Sequence, residues 1–259
     1  MIEKSVIVDQ KEGIMSINLN QPDALNALSD EMFIELINIL KSAQNNKEVR
    51  VITLSGAGRA FCSGGDIKQM GKRTPMEDFD RMALASELIL TMKNLDQPII
   101  AIVHGYAAGV GASIAMACDQ IIASDDSKIL FSFSRIGLVA DGGGHFFLTR
   151  TLGPYRAKEV LFNAEPIEAN KALQWGIVNR IFPLEDLHEE AMNYARKLSN
   201  GPSRSYSLSK KIVNEALITD LESILDKERL SQSIVRLTSD HKEGVAAFKE
   251  NREPKFNGE

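Results

Sequence analysis

Short apolar runs of strand length recur through the first part of the chain, most of them followed by apolar residues spaced three and four apart. Ser5 to Val8 and Ile14 to Leu19 alternate and carry β-branched residues on either side of Glu12-Gly13, which predicts a hairpin. Asn20 to Asn26 reads as a polar loop around Pro22. Ser29 stands as a helix cap before Met32, Phe33, Leu36, Ile37 and Leu40, whose spacing predicts one buried helix face. Val49 to Leu54 and Ile99 to Val103 are continuous apolar runs that predict buried strands. Between them, Gly71 to Pro75 reads as a loop and Glu77 to Leu95 as a helix stopped before Pro98. Val110 to Ala117 predicts a helix of small residues, and Gln120 to Ala123 and Ile129 to Phe133 predict strands. Asp141-Gly142-Gly143-Gly144 then leads into a helix through Leu152.

Strands and helices alternate in this way to about Ile181. After Pro183 the pattern becomes helical: Leu184 to Leu198, Ser203 to Leu217, Leu221 to Leu237 and Lys242 to Glu250. The pattern predicts an α/β protein, with a core over 1–198 and a helical region over 199–259. A helical tail with little body of its own packs on the core or on another subunit.

Composition narrows the class. The chain has 259 residues, 44% hydrophobic and 25% charged, which fits a globular fold. A net charge of −5 disfavours a nucleic-acid partner, because phosphate binding needs a basic surface. Cys62 and Cys118 form no disulfide framework, so a reducing compartment is expected. The amino terminus shows no apolar signal region, and no apolar run is long enough to span a bilayer. The expectation is a cytoplasmic protein with no membrane partner. His104, His145, His188 and His241 are scattered, so no metal site is expected.

Two glycine-bearing segments carry the candidate chemistry. Arg59-Ala60-Phe61-Cys62-Ser63-Gly64-Gly65-Asp66 follows the apolar run ending at Leu54. His104-Gly105-Tyr106-Ala107-Ala108-Gly109-Val110-Gly111 follows Val103. Each is read as a strand-to-helix junction, where backbone N–H groups lack intrahelical partners and the helix dipole adds positive potential. Facing one another, the N–H groups of Gly65 and Val110 would hold one oxygen, an oxyanion hole for an enolate or a tetrahedral intermediate. Cys62, beside the first donor, reads as a small buried residue.

The stretch Ala60 to Lys68 resembles the signature of the crotonase superfamily, the enoyl-CoA hydratases and isomerases. Asn20-Gln21-Pro22-Asp23-Ala24-Leu25-Asn26-Ala27-Leu28 and Gly105 to Gly109 resemble it too, and the likeness continues through Gly153 and Gly176-Ile177-Val178 to Ala247-Phe248. The resemblance implies a spiral of ββα turns with a C-terminal helical trimerisation region, as a homotrimer or a dimer of trimers. It implies an acyl-CoA thioester whose carbonyl oxygen sits between the N–H groups of Gly65 and Val110. No cofactor is implied, coenzyme A being part of the substrate. Ala24, Leu25, Asn26, Ala60, Gly65, Asp66, Ile67 and Lys68 would line the CoA groove, with Phe248 and Lys249 reaching CoA from a neighbouring subunit. Many relatives carry a basic residue where Gln21 stands, which shifts the phosphate contacts elsewhere.

The acid–base residues decide the reaction. Hydratases of the superfamily use two glutamates, and the matching positions here are Ser113 and Arg135. Neutral serine and cationic arginine do not activate water and deliver a proton as two carboxylates do. The loop Gly137 to Gly144 instead offers Asp141, where some isomerases of the superfamily place an aspartate. The expected reaction is acyl-CoA isomerisation: Asp141 takes a proton α to the thioester and returns it at another carbon. Phe133, Leu138 and Phe146 are expected around that carboxylate, with Met70, Met76 and Met82 as further candidates for the acyl pocket. Hydratase activity, covalent attack by Asp141 in a hydrolase or dehalogenase, and CoA binding without catalysis are the alternatives. A Ser113/His145/Asp141 triad is not required by their spacing.

Overall fold

The computed structural model describes residues 4–66, 71 and 74–259. β1 (Val6–Lys11) and β2 (Ile14–Leu19) form the expected antiparallel hairpin, with Val6 opposite Leu19. Glu12 and Gly13 turn at φ 53° and 75°, the left-handed pair that a two-residue hairpin loop requires. α1 (Asp30–Gln44) starts where the Ser29 hydroxyl accepts the Met32 N–H at 3.3 Å. β3 (Val51–Gly56) follows, then α2 (Pro75–Asn94), closed at its start by a reciprocal Thr74–Glu77 capping box. β4 (Ile99–Val103), β5 (Tyr106–Ala108), α3 (Val110–Ala117), β6 (Gln120–Ser124) and β7 (Lys128–Leu130) come next. The chain continues through α4 (Gly144–Asn163), β8 (Ile167–Glu168), α5 (Ala169–Gln174) and β9 (Arg180–Phe182). Four helices end it: α6 (Leu184–Ser199), α7 (Ser203–Ala216), α8 (Leu221–Val235) and α9 (Ser239–Glu250).

The strands form two sheets. One runs in the order β1-β2-β3-β4-β6-β9 and is parallel from β2 onward; the other runs β5-β7-β8. The central strands β3 and β4 of the larger sheet are buried on both faces, which explains their continuous apolar runs, whereas the edge strand β1 is largely exposed. Ile99, Ala101 and Val103 point into the main core with α1, α2, α3 and α4. Ile100 and Ile102 point the other way, where Leu187, Ala191 and Ala195 of α6 cover them.

Three expectations are corrected. The strand expected over Ile129 to Phe133 stops at Leu130, and Ser132–Ile136 form a 3-10 turn. Phe131 and Phe133 are both buried there, and a short apolar run does not reveal by itself which structure buries it. The helix expected to end at Leu152 runs to Asn163, kinked at Gly153 (φ 74°, ψ 166°). Pro154 then serves as an early position of the second half, where its missing N–H costs nothing. The second glycine segment contains a strand, β5, which the glycines conceal. The short helix expected after Asp66 falls outside the described residues.

Candidate active site

The two glycine segments meet backbone to backbone. Cys62 donates to the Tyr106 carbonyl at 3.0 Å and accepts the Ala108 N–H at 2.8 Å. On the far side of the first segment, Leu28 donates to the Gly64 carbonyl at 2.8 Å and accepts the Asp66 N–H at 3.3 Å. That register turns the Gly65 N–H away from Leu28. Neither it nor the Val110 N–H, at the first position of α3, finds an acceptor among the described residues. Gly64 (φ 105°) makes the approach possible: a Cβ there would lie 2.9 Å from the Ala108 carbonyl oxygen and 3.5 Å from the Gly109 Cα. Only a residue without a side chain lets the turns touch.

The loop bearing Asp141 rests on the same turn of α3. Ser113 is wholly buried, and its hydroxyl donates to the Asp141 backbone carbonyl at 2.7 Å. Gly142 (φ 56°) seats against the helix so closely that a Cβ would lie 2.9 Å from the Ser113 Cβ and 3.0 Å from the Val110 Cγ2. Val110 therefore presents a backbone donor to one side and a surface for the Asp141 loop on the other. Sequence reading treated Ser113 as a missing glutamate and as a triad serine that spacing did not require; its place as the anchor of the Asp141 backbone depends on a contact between residues 28 positions apart.

The Asp141 carboxyl is half-buried, and its Oδ1 is shielded from solvent with no hydrogen-bond partner among the described residues. Burial pushes its pKa up, while the Arg81 guanidinium and its own backbone N–H pull it down. Arg81 projects from α2 and is held by Asp30, Nε to Oδ1 at 2.7 Å, with 12% of its side chain exposed. This arginine was not singled out from the sequence. Its signal there was a single charge in a helix of low amphipathicity, one of several.

The other expected residues distribute as follows. Asn26 is buried and donates to the carbonyls of Ala57, Ala60 and Phe61 at 2.9, 2.8 and 3.3 Å. Its Oδ1 accepts the Gln21 N–H at 2.9 Å. The side chain thus ties the loop Gln21–Asn26 to the first glycine segment. Ala60 is also buried, whereas Ala24 is exposed and Leu25 half-buried beside it. Gly65 and Asp66 border the site; Ile67, Lys68 and Met70 lie outside the described residues. Phe248 and Lys249 are exposed at the end of α9, Phe248 to 88%. Arg135 lies in the 3-10 turn, and its guanidinium donates to the Ala164 carbonyl at the end of α4.

His145 is exposed, and the Ser113 hydroxyl is committed to a backbone carbonyl, so no Ser–His–Asp triad forms. Burial pushes the Cys62 thiol up to about 12, and it donates to the Asn26 carbonyl at 3.1 Å, leaving a packed, inert group. Phe133 is buried with its ring edge 4.0 Å from where a Gly109 Cβ would stand. Phe146, in contrast, lies under the Arg150 guanidinium at 3.5 Å on the surface, and Phe147 is the ring that packs on Gly143. Met76 is 69% exposed. No helix among the described residues is long and apolar enough to cross a membrane.

Known proteins share this architecture. The family model for enoyl-CoA hydratase/isomerase matches residues 9–259. The 1,2-epoxyphenylacetyl-CoA isomerase of Escherichia coli K12 is 33% identical over 252 residues, 96% of each chain. The crotonyl-CoA hydratase of Syntrophomonas wolfei is 30% identical over 257 residues, 99% of each. The crystal structure of an enoyl-CoA hydratase from Bacillus anthracis superposes with a TM-score of 0.95 at 30% identity, covering 99% of this chain and 100% of that one. The fold is therefore the crotonase fold, and the chain belongs to the enoyl-CoA hydratase/isomerase family of enzymes.

Proposed function

We propose that the protein is an acyl-CoA isomerase that works through an enolate with Asp141 as its proton shuttle. One observation carries this reading: Asp141, whose half-buried carboxyl has its Oδ1 without a hydrogen-bond partner among the described residues, is fastened through its backbone to the same helical turn that begins with the unpaired N–H of Val110. For a 3-enoyl thioester, the Asp141 carboxylate takes a proton from C2. The negative charge moves to the thioester oxygen, which the N–H groups of Gly65 and Val110 stabilise. The double bond shifts to C2–C3 as the Asp141 carboxylic acid returns the proton to C4. The shuttle consumes no other reactant. Burial raises the pKa of the carboxyl, which strengthens its carboxylate as a base.

Hydration is the competing reaction in this family, and the site is poor in what it needs. Ser113 and Arg135 occupy the positions where the resemblance places two glutamates. Ser113 is sealed beneath Gly142, and Arg135 is spent on a helix terminus. The test pairs 3-enoyl-CoA and 2-enoyl-CoA substrates with wild type and Asp141→Asn. The expected outcome is double-bond migration and α-proton exchange with deuterium in wild type, both lost in the variant, and little hydration. Rapid hydration of 2-enoyl-CoA that survives Asp141→Asn sinks the proposal. A covalent acyl adduct on Asp141, seen by intact-mass spectrometry, would instead assign the aspartate as a nucleophile.

The CoA portion lies along the loop at Ala24 and Leu25, with Gly65 and Asp66 at the thioester end. The protein assembles as a homotrimer or a dimer of trimers. Val213, Leu217, Leu221, Leu225, Leu230 and Phe248 leave apolar surface exposed along α7, α8 and α9, which a lone chain in water does not favour. Sedimentation equilibrium of the intact protein reads the stoichiometry directly; a monomer at micromolar concentration rejects this assembly. Two buried, unpaired cysteines suit a reducing cytoplasm.

A further inference from the structure

Among the described residues, the lysines that are not fully exposed are Lys93, Lys128, Lys210 and Lys227. Lys128 pairs with Glu168 at 3.4 Å, Lys210 with Asp119 at 2.7 Å and Lys227 with Glu215. Lys93 is the exception: its ammonium has no ion pair and no hydrogen bond among the described residues, and its Nζ is still open to solvent, unlike the Asp141 Oδ1. It stands instead over the buried Phe147 ring, 5.8 Å from the centroid. Lys93 belongs to the last turn of α2, where a lysine ordinarily serves the free carbonyls of its own helix. Here α7 has taken them. Lys210 donates to the Met92 carbonyl at 3.1 Å, and Asn214 donates to the Lys93 carbonyl at 3.2 Å. Lys210 also holds Asp119, the acid whose charge favours the Lys93 ammonium. Burial lowers the Lys93 pKa, and the Lys210 charge lowers it further. Cys118, the remaining titratable neighbour, stays a neutral thiol because burial pushes its own pKa up.

We propose that Lys93 is an acylation site for CoA thioesters, a half-buried, unpaired amine that this thioester class modifies without a second enzyme. A charged lysine is not a nucleophile; desolvation against an apolar wall and a second cation nearby both favour the reactive amine. Lys93 has both, whereas the exposed lysines keep fully hydrated ammonium groups. The Lys93 ammonium first gives a proton to water. The neutral Nζ then adds to the thioester carbonyl carbon and forms the N–C bond. The carbonyl is restored as the C–S bond breaks, and the electron pair leaves on sulfur as the CoA thiolate, which takes up a second nitrogen proton. The products are an amide on Lys93 and free CoA, with no oxidant or further reactant consumed. The site rests on the chain's place in a CoA-thioester family and not on the role of Asp141.

The test incubates the full-length protein with acetyl-CoA at mildly alkaline pH, with no acetyltransferase present. Peptide mass spectrometry follows each N-acetyl-lysine in time. Lys93 is expected to acetylate about 3–10-fold faster than the exposed Lys47, Lys158 and Lys242. In concentrated urea, where burial and the neighbouring charge are gone, that advantage should vanish. The wild-type chain serves in both conditions, so the comparison needs no variant that folds. A native rate at Lys93 equal to or below that of the exposed lysines overturns the proposal. So does an advantage that survives unfolding, because it would then come from adjacent residues and not from the site. Acetyl-CoA has no double bond to move, so neither result bears on the isomerase reading, whose failure shows separately as an absence of α-proton exchange.

Discussion

Asp141 shows how one residue is set against its own stability. Its carboxyl has a raised pKa in the folded protein because burial disfavours the charge. The sign follows from linkage: a raised folded value adds stability below the unfolded pKa, and that stability is lost as pH rises through the folded value. At neutral pH the ionised form is therefore a burden on the fold. Asp141→Asn is expected to lose about 10²–10⁴ in kcat and yet to melt above wild type near neutral pH. The gap should close on acidification, which thermal melts across a pH series would show. An Asn variant that melts well below wild type at pH 7 contradicts this. Arg81 opposes burial by favouring the carboxylate, so Arg81→Leu is expected to move the acid limb of the kcat/KM profile to higher pH. An unmoved limb removes Arg81 from the electrostatics of the base.

At the scale of elements, α3 serves three purposes within its first turns. It presents the Val110 N–H, receives Gly142 against Val110 and Ser113, and holds the Asp141 loop through the Ser113 hydroxyl. Ser113→Ala removes that tether and is expected to lower kcat on the order of 10–100-fold, since small misplacements of a base are costly, with KM nearly unchanged. A matching rise in KM would assign Ser113 to ligand binding instead. Ser113→Glu supplies the residue type of a hydratase without the room for it, because Gly142 and Gly144 close over that position. Crotonyl-CoA hydration should stay at background in this variant, and efficient hydration would show that the loop yields. The helix boundaries here were legible beforehand from the small-residue run Val110 to Ala117. The tether was not, because nothing in the residues near Ser113 points to a carbonyl on another element.

The whole molecule is joined by a few buried polar anchors as well as by its apolar core. Lys210 of α7 reaches the Asp119 carboxylate at 2.7 Å and the carbonyls of Gln97 and Met92 at 3.0 and 3.1 Å, with its side chain 6% exposed. Arg50, entering β3, donates to Gly201, Ser203 and Phe256, so one side chain joins the start of α7 to the C-terminal segment. Asp240 accepts the N–H groups of Asn257 and Gly258 at 2.7 and 3.0 Å and closes that segment onto α9. Lys210→Met is expected to cost about 1–3 kcal/mol, because Asp119 loses its ion-pair partner in a largely buried place while keeping the Ile99 N–H. Denaturant unfolding measures it, and a cost under about 1 kcal/mol would match a merely exposed pair.

By itself the sequence determined the α/β alternation, the hairpin at Glu12-Gly13, the helical end and the two glycine turns. These are local: apolar periodicity, caps and glycines act within a few residues, so the information lies in adjacent positions. Family membership was equally legible, through motifs whose residues are contiguous. Tertiary structure alone decided which groups meet. It placed Gly64 against Ala108 and Gly109, turned Asn26 inward onto three carbonyls, and hung Asp141 from Ser113. It also set the charge of Arg81, on α2 and held by Asp30, where it favours the Asp141 carboxylate, and left the Asp141 Oδ1 without a hydrogen-bond partner among the described residues. The physical reason is distance along the chain. Burial, charge pairing and steric exclusion depend on neighbours that only folding assembles, and the chemistry of this site consists of those neighbours.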